Sequence, residues 1–281
     1  MVSDNCTDLQ AMNELQQIEF DLFLCFDEIC KKLDLKYFLL SGSALGAVRH
    51  GGFIPWDDDL DVGMYREDYN KFMELAPSML PKEYFLQNYK TDPEAPFVFA
   101  KLRNSNTAFI ETAISKFHMH HGIYIDIFPL DGYPEKALAQ KHLEIKKKGF
   151  QWKLHCGFDI PRRFRSAAVS FVLRLLGYHK RVAKTNARFE ALISRYKVAD
   201  SDIVCSHGNR YGAKDYMPKE IYGEGVYMTF EGVQARIPAK YDEYLTRLYG
   251  DWHTPPPMKE REVIHSHTVC DTKKSYVEYM K

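Results

Sequence analysis

SGSALGAVRHGGFIPWDDDLDVGM, residues 41–64, is the stretch whose reading decides the fold. An apolar strand, Tyr37–Leu40, leads into it. Ser41-Gly42-Ser43 reads as a turn, Ala44–His50 as a short helix, and Gly51-Gly52 as the stop of that helix. From Asp59 the chain alternates as Asp59, Leu60, Asp61, Val62, Gly63, Met64. Successive side chains of a strand point to opposite faces. Leu60, Val62 and Met64 therefore turn to the core, and Asp59 and Asp61 project together from the other face. Two carboxylates that close repel unless a cation or a proton lies between them. A hard divalent cation such as Mg²⁺ suits oxygen ligands best. The plain alternative is a solvated acidic loop, and the alternation and the upstream Gly-Ser turn argue against it. The one-three-five spacing of Asp57, Asp59 and Asp61 also invites a calcium loop. That loop needs Gly at its sixth position and Glu at its twelfth, where this chain has Val62 and Asp68. Gly42 lets the backbone approach closely. Ser43 can cap the helix or donate to an anion at its positive N-terminus.

A second acidic position stands downstream. Gly122–Leu130, GIYIDIFPL, is an apolar run that reads as a buried strand, with Asp126 in its middle. A lone buried carboxylate is costly unless it is paired, hydrogen-bonded or metal-bound. Lys101 and Arg103 in FAKLRNSNT lie two apart, so a strand presents both on one face. Opposite an acidic metal strand they can neutralise substrate phosphates; solvated cations of an edge strand are the alternative. Asp131-Gly132 reads as a plain turn. His118, His120 and His121, even with His265 and His267, fit no zinc spacing and read as isolated, partly exposed histidines.

Gly-Ser, two acidic residues one apart on the next strand, and a third on a later strand together resemble the nucleotidyltransferase fold. More narrowly, residues 41–64, YIDIFPLDG (residues 124–132) and LYGDWHTPPP (residues 248–257) resemble the LicD family of phosphotransferases. Nothing between about Glu135 and Val198 carries the resemblance. Trp252 stands where the family pattern leads one to expect Tyr, and Ser43 where Thr is expected; neither touches the carboxylates. The resemblance implies transfer of a phosphorylated alcohol, most often phosphocholine from CDP-choline, onto a cell-surface glycan or its lipid-linked precursor. It implies one or two Mg²⁺ ions on Asp59, Asp61 and Asp126, the last as metal ligand, general base or both. Gly42 and Ser43 would take phosphate oxygens, Arg49, Lys101 and Arg103 would stabilise charge, and Asp57 and Asp58 would stand behind the ligands or at the metal's entry. It also places the tail bearing Arg261 and His265 near the site. Transfer of the nucleotide itself to a small acceptor would use the same carboxylates. A non-catalytic metal- or glycan-binding relative is the reading from another class, and the presence of all three carboxylates weighs against it.

The 281 residues suffice for a sizeable core. A formal net charge of zero speaks against a dedicated nucleic-acid binder. The chain shows no signal-peptide run and no apolar stretch of membrane-spanning length. Its six scattered cysteines suggest a reduced, cytoplasmic protein. An amphipathic helix runs from Leu9 to Leu33, and Glu67–Ala76 is a second helix ended by Pro77. Tyr84–Tyr89, Phe97–Arg103 and Thr107–Ile110 read as strands. Between Lys141 and Arg188 stand 13 Lys or Arg against Glu144 and Asp159. Three helices are expected there: Pro134–His155, Phe164–Gly177 and Lys180–Lys197. This basic insert is either an ordinary helical subdomain or a surface for anionic lipid or glycan. Tyr222–Pro238 reads as a hairpin around Glu231-Gly232, and Tyr241–Tyr249 as a helix. The expected architecture is α/β: a nucleotidyltransferase-like mixed-sheet core over 1–133, a helical insert over 134–198, and a segment over 199–281 packing back on the core.

Overall fold

The computed structural model describes residues 12–115, 117–158, 182–261 and 265–280. It is a mixed α/β fold. In chain order the strands are β1 (Phe38–Leu39), β2 (Asp61–Tyr65), β3 (Tyr84–Gln87), β4 (Ala100–Asn104), β5 (Ala108–Glu111), β6 (Tyr124–Gly132), β7 (Ile203–Cys205), β8 (Met217–Pro218), β9 (Val226–Phe230), β10 (Val233–Ile237) and β11 (His267–Asp271). The helices are α1 (Glu14–Leu33), α2 (Ser41–His50), α3 (Arg66–Leu75), α4 (Ala137–Phe158), α5 (Val182–Ile193), α6 (Lys219–Tyr222) and α7 (Tyr241–Tyr249). The expected helix Phe164–Gly177 lies outside the described residues.

The main sheet runs β1-β2-β6-β4-β3, with β7 and β8 added beyond the far end of β6. β2 and β6 are parallel neighbours, and β4 runs antiparallel to β6. β6, which carries Asp126, is buried along its whole length. The pleat sorts each strand by face. Val62, Met64, Ala100, Leu102, Ile125 and Ile127 join the principal core with Leu22, Phe23 and Phe26 of α1 and Phe72 of α3. Asp61, Lys101 and Asp126 occupy alternate positions and turn the other way. At Gly63 an added Cβ would lie 2.6 Å from Leu40 Cδ1, so glycine lets β1 lie close on β2.

α1 starts at a reciprocal capping box between Asn13 and Gln16. The Gln16 amide also donates to the carbonyls of Ile54 (3.2 Å) and Asp57 (3.1 Å), so the helix start braces the loop entering the aspartate run. The expected hairpin is β9–β10, with Glu231 (φ 46°) and Gly232 (φ 83°) both left-handed at its turn, as a tight hairpin requires. The Glu231 carboxylate accepts from Phe53 N at 2.8 Å and seats the turn on the α2–β2 connection. β11 pairs with β5 and returns the C-terminal segment to the sheet side of the molecule.

Asp131 is not a plain turn residue: it lies within β6, wholly buried, and accepts from Arg66 Nε at 2.7 Å and Nη2 at 2.6 Å. Two histidines also differ from the reading. His120 and His121 are buried, the first stacked on Phe85 and the second bonded to the Phe117 carbonyl; His118 is exposed. Among the described residues no helix is long and apolar enough to cross a membrane.

Candidate active site

Asp61 and Asp126 are register partners on the parallel strands β2 and β6, and Lys101 is the partner of Asp126 from β4. Three neighbouring strands thus deliver two carboxylates and an ammonium to one row. Lys101 Nζ lies 2.8 Å from Asp126 Oδ1 and 3.5 Å from Glu111 Oε1, and it stands 3.3 Å from the centre of the Tyr124 ring. Asp59 reaches the same place from the extended residues just before β2. These groups line a cavity of about 530 Å³ whose wall also includes Ser41, Gly42, Arg49, Asp57, Arg210, Trp252 and His265. Its volume is in the range that takes a small ligand.

The acids are too crowded to be comfortable as anions. Burial pushes Asp57 and Asp61 well above the usual carboxylate range, and their acidic neighbours add to it. Asp59 and Asp126 are raised as well, burial outweighing the help of His265 and Lys101 respectively. Asp59 is the neighbour that adds most to the rise of Asp57. From α1, Glu19 adds a further carboxyl, fully buried and raised first by desolvation and then by these aspartates. A cluster of hard oxygen donors with few cations to offset it is the donor set that suits Mg²⁺.

The turn that feeds α2 differs from its reading. The helix starts at Ser41, its preceding residue Leu40 gives no side-chain cap, and Ser41 has φ 47°. Such a left-handed non-glycine costs about 1–3 kcal/mol and persists where its surroundings hold it. Here the buried Tyr244 hydroxyl accepts from Ser41 N at 3.1 Å. Ser41 and Gly42 line the cavity. A Cβ on Gly42 would run into the Asp57 carboxylate. Ser43 is turned inward: its hydroxyl accepts from Asp61 N at 2.8 Å, fixing the start of β2 rather than capping α2.

Comparison with known proteins bears on this geometry. Residues 34–167 match the family described as LicD/FKTN/FKRP, nucleotidyltransferase domain. The chain is 29% identical over 266 residues to the lipopolysaccharide cholinephosphotransferase LicD of Haemophilus influenzae, covering 91% of this chain and 96% of that one. The chain carries a LicD family domain. It is also 32% identical over 111 residues to the human ribitol 5-phosphate transferase FKRP, spanning 38% of this chain and 19% of that protein. An uncharacterized protein of Rickettsia prowazekii is 32% identical over 121 residues, 43% of this chain and 42% of its own length.

Of the site residues expected in this chain, Asp59, Asp61, Asp126, Gly42, Arg49 and Lys101 all line the cavity. Arg49 is tied down on one side, Nη1 donating to the Trp252 carbonyl at 2.7 Å. Arg103 is a correction. It shares a face with Lys101 but is fully buried, bonded to Gln87 and to the Gly122 carbonyl (2.6 Å), with its guanidinium 4.6 Å from the Tyr124 ring. It takes no part in the cavity wall and so cannot meet a phosphate there. Asp57 lines the cavity itself, where a metal-entry residue would stand. Asp58 is buried and holds the tail: it accepts from His265 N at 3.0 Å, and its Oδ1 lies 3.1 Å from His265 Nδ1. Burial opposes a charge on His265, but Asp58 and Asp59 hold its imidazole up at about 9.

Glu19, Ser41 and Arg210 were missed in the sequence. Glu19 sits within an amphipathic helix whose apolar stripe hides it, and Ser41 differs from its neighbours only by a backbone angle. Arg210 lies in an irregular loop where no periodicity operates.

Proposed function

We propose that this chain transfers a phospho-alcohol, phosphocholine from CDP-choline, onto a glycan or a lipid-linked glycan precursor. The observation that carries this reading is the register pairing of Asp61 with Asp126, with Asp59 and Lys101 lining the same cavity. The likeness to a lipopolysaccharide cholinephosphotransferase over most of both chains supports the transferred group and the acceptor class. Asp59, Asp61 and Asp126 would hold one or two Mg²⁺ ions. A bound divalent cation would supply Lewis-acid stabilisation of phosphate charge.

The chain's own groups do the rest. Lys101 orients Asp126 through its ion pair. Asp126 takes the proton of the acceptor hydroxyl as that oxygen forms a bond to the choline-bearing phosphorus. The bond from that phosphorus to the bridging oxygen breaks, and CMP leaves. Ser41 and Gly42 set the first turn of α2 against the cavity, where backbone N–H groups favour phosphate oxygens. Phe128, Tyr249 and Trp252 give the cavity aromatic faces of the kind that hold a quaternary ammonium.

Incubation of the protein with Mg²⁺, CDP-choline and a glycan acceptor tests this, with products read by phosphorus NMR. The expected products are CMP and a choline phosphodiester on the glycan, lost with EDTA and restored by Mg²⁺. CMP left on the acceptor with phosphocholine released would replace this reading with nucleotidyl transfer.

A peripheral membrane position goes with a lipid-linked acceptor. On α4, Leu138 (81% exposed) and Ile145 (61% exposed) stand seven residues apart on the outer face, amid the exposed Lys141, Lys146 and Lys148. Apolar anchors among lysines suit an anionic lipid surface. The protein should float with phosphatidylglycerol vesicles, and Leu138→Glu/Ile145→Glu should stay behind; equal recovery of the two proteins would contradict the assignment.

A further inference from the structure

The loop between β7 and the turn Gly212–Asp215 plays no part in the steps above, yet it reaches the cavity. We propose that Arg210, at its tip, binds the diphosphate oxygens of the donor. The assignment rests on the phospho-alcohol reading for the identity of the anion, but not for the anion's chemistry.

Consider first the other cations around the cavity. Lys101 is closed on Asp126 and Glu111. Arg49 donates to the Trp252 carbonyl. Arg261 lies 4.5 Å over the Trp56 ring and donates to the Pro256 carbonyl at 2.9 Å. His265 is held by Asp58. Each is held by a carboxylate or a backbone carbonyl. Arg210 is different. It lines the cavity, its guanidinium meets only the Tyr211 side chain among the described residues, and its charge acts on Asp57 and Asp59 from a distance. Once those acids are satisfied by a metal, the guanidinium has a free fork to offer a phosphate.

The loop is built to hold it still. Ser206 N donates to the buried Asp215 carboxylate at 2.6 Å. Gly208 lies so close to Phe99 that an added Cβ would sit 2.7 Å from its ring. The Asn209 side chain accepts from Tyr211 N at 3.1 Å, and the Tyr211 and Tyr249 hydroxyls meet at 2.7 Å. The run 206–211 is thus anchored at both ends and at the middle. A cation presented by a braced loop loses little freedom when an anion arrives. Phe128 and Asn209 line the cavity beside Arg210.

Calorimetry on the full chain with Mg²⁺ tests the assignment, with inorganic pyrophosphate, CDP and cytidine as separate probes. R210A should weaken pyrophosphate and CDP by on the order of ten- to a hundred-fold and leave cytidine unchanged. R210K, which keeps the charge and loses the fork, should fall between. The circular dichroism of both variants should match wild type, since Arg210 is exposed. If wild type turns over CDP-choline, R210A should raise KM for it. Wild-type pyrophosphate affinity in R210A, or no pyrophosphate binding by wild type, overturns the role of Arg210. A wild type that binds pyrophosphate but releases no CMP from CDP-choline leaves Arg210 standing and sinks the transferase reading instead.

Discussion

Asp61→Asn is expected to abolish transfer, on the order of a thousand-fold or more in kcat, while leaving the metal-free protein as stable as wild type or more so. The two effects have one cause. In the folded chain the Asp61 carboxyl is raised well above its usual range by burial first, then by Asp59, Asp126 and Asp57. An acid whose folded pKa is raised opposes folding at any pH above its unfolded value, because the native state demands a proton that neutral solution does not readily give. Asn keeps the volume and removes that demand. What it also removes is a carboxylate oxygen that the β2–β6 register places beside Asp126 and that would hold the metal. Thermal unfolding should therefore show wild type gaining stability with Mg²⁺, as any ligand of the native state confers, and Asp61→Asn gaining none. A variant that is inactive because it is unfolded, or one that stays active, would each remove Asp61 from its assigned place.

Arg66→Met is expected to cost about 3–5 kcal/mol, because it strands a charge that has no access to water. Asp131 is fully buried at the end of β6 and accepts two hydrogen bonds from Arg66, whose third contact is Glu190 at 3.0 Å. Arg66 opens α3 directly after β2, so the pair ties the far ends of the two strands that carry Asp61 and Asp126. Thermal unfolding should show a Tm lower by on the order of 10 °C. Arg66→Met/Asp131→Leu should recover most of the loss, since an apolar pair of similar volume often replaces a buried ion pair without penalty. A single variant within 1 °C of wild type would show that the pair holds nothing together.

Reading the sequence went furthest where a local period carried the information. Asp59-Leu60-Asp61-Val62 announces its two faces through the pleat, and Lys101 two residues before Arg103 does the same. Asp126 stood out as a lone acid in an apolar strand, and only the family resemblance joined it to Asp61. Depth was not legible. Arg103 and Lys101 share a face, but Arg103 is sealed in by Gln87, Tyr124 and the Gly122 carbonyl while Lys101 reaches the cavity. That difference depends on long-range packing, which no local pattern contains. Asp131 was misread for the same reason, its partner lying 65 residues away. The helix start lies three residues before the expected Ala44: Ser41, at a left-handed angle that Tyr244 holds, opens α2, and Ser43 lies within it.

The central claim is that Asp59, Asp61 and Asp126 gather a divalent cation at the floor of this cavity. Anomalous diffraction from a crystal grown with Mn²⁺ and a non-hydrolysable CDP-alcohol tests it most directly. The account predicts manganese bonded to carboxylate oxygens of both Asp61 and Asp126. Manganese bound elsewhere, with these two carboxylates left unligated in the donor complex, would contradict it.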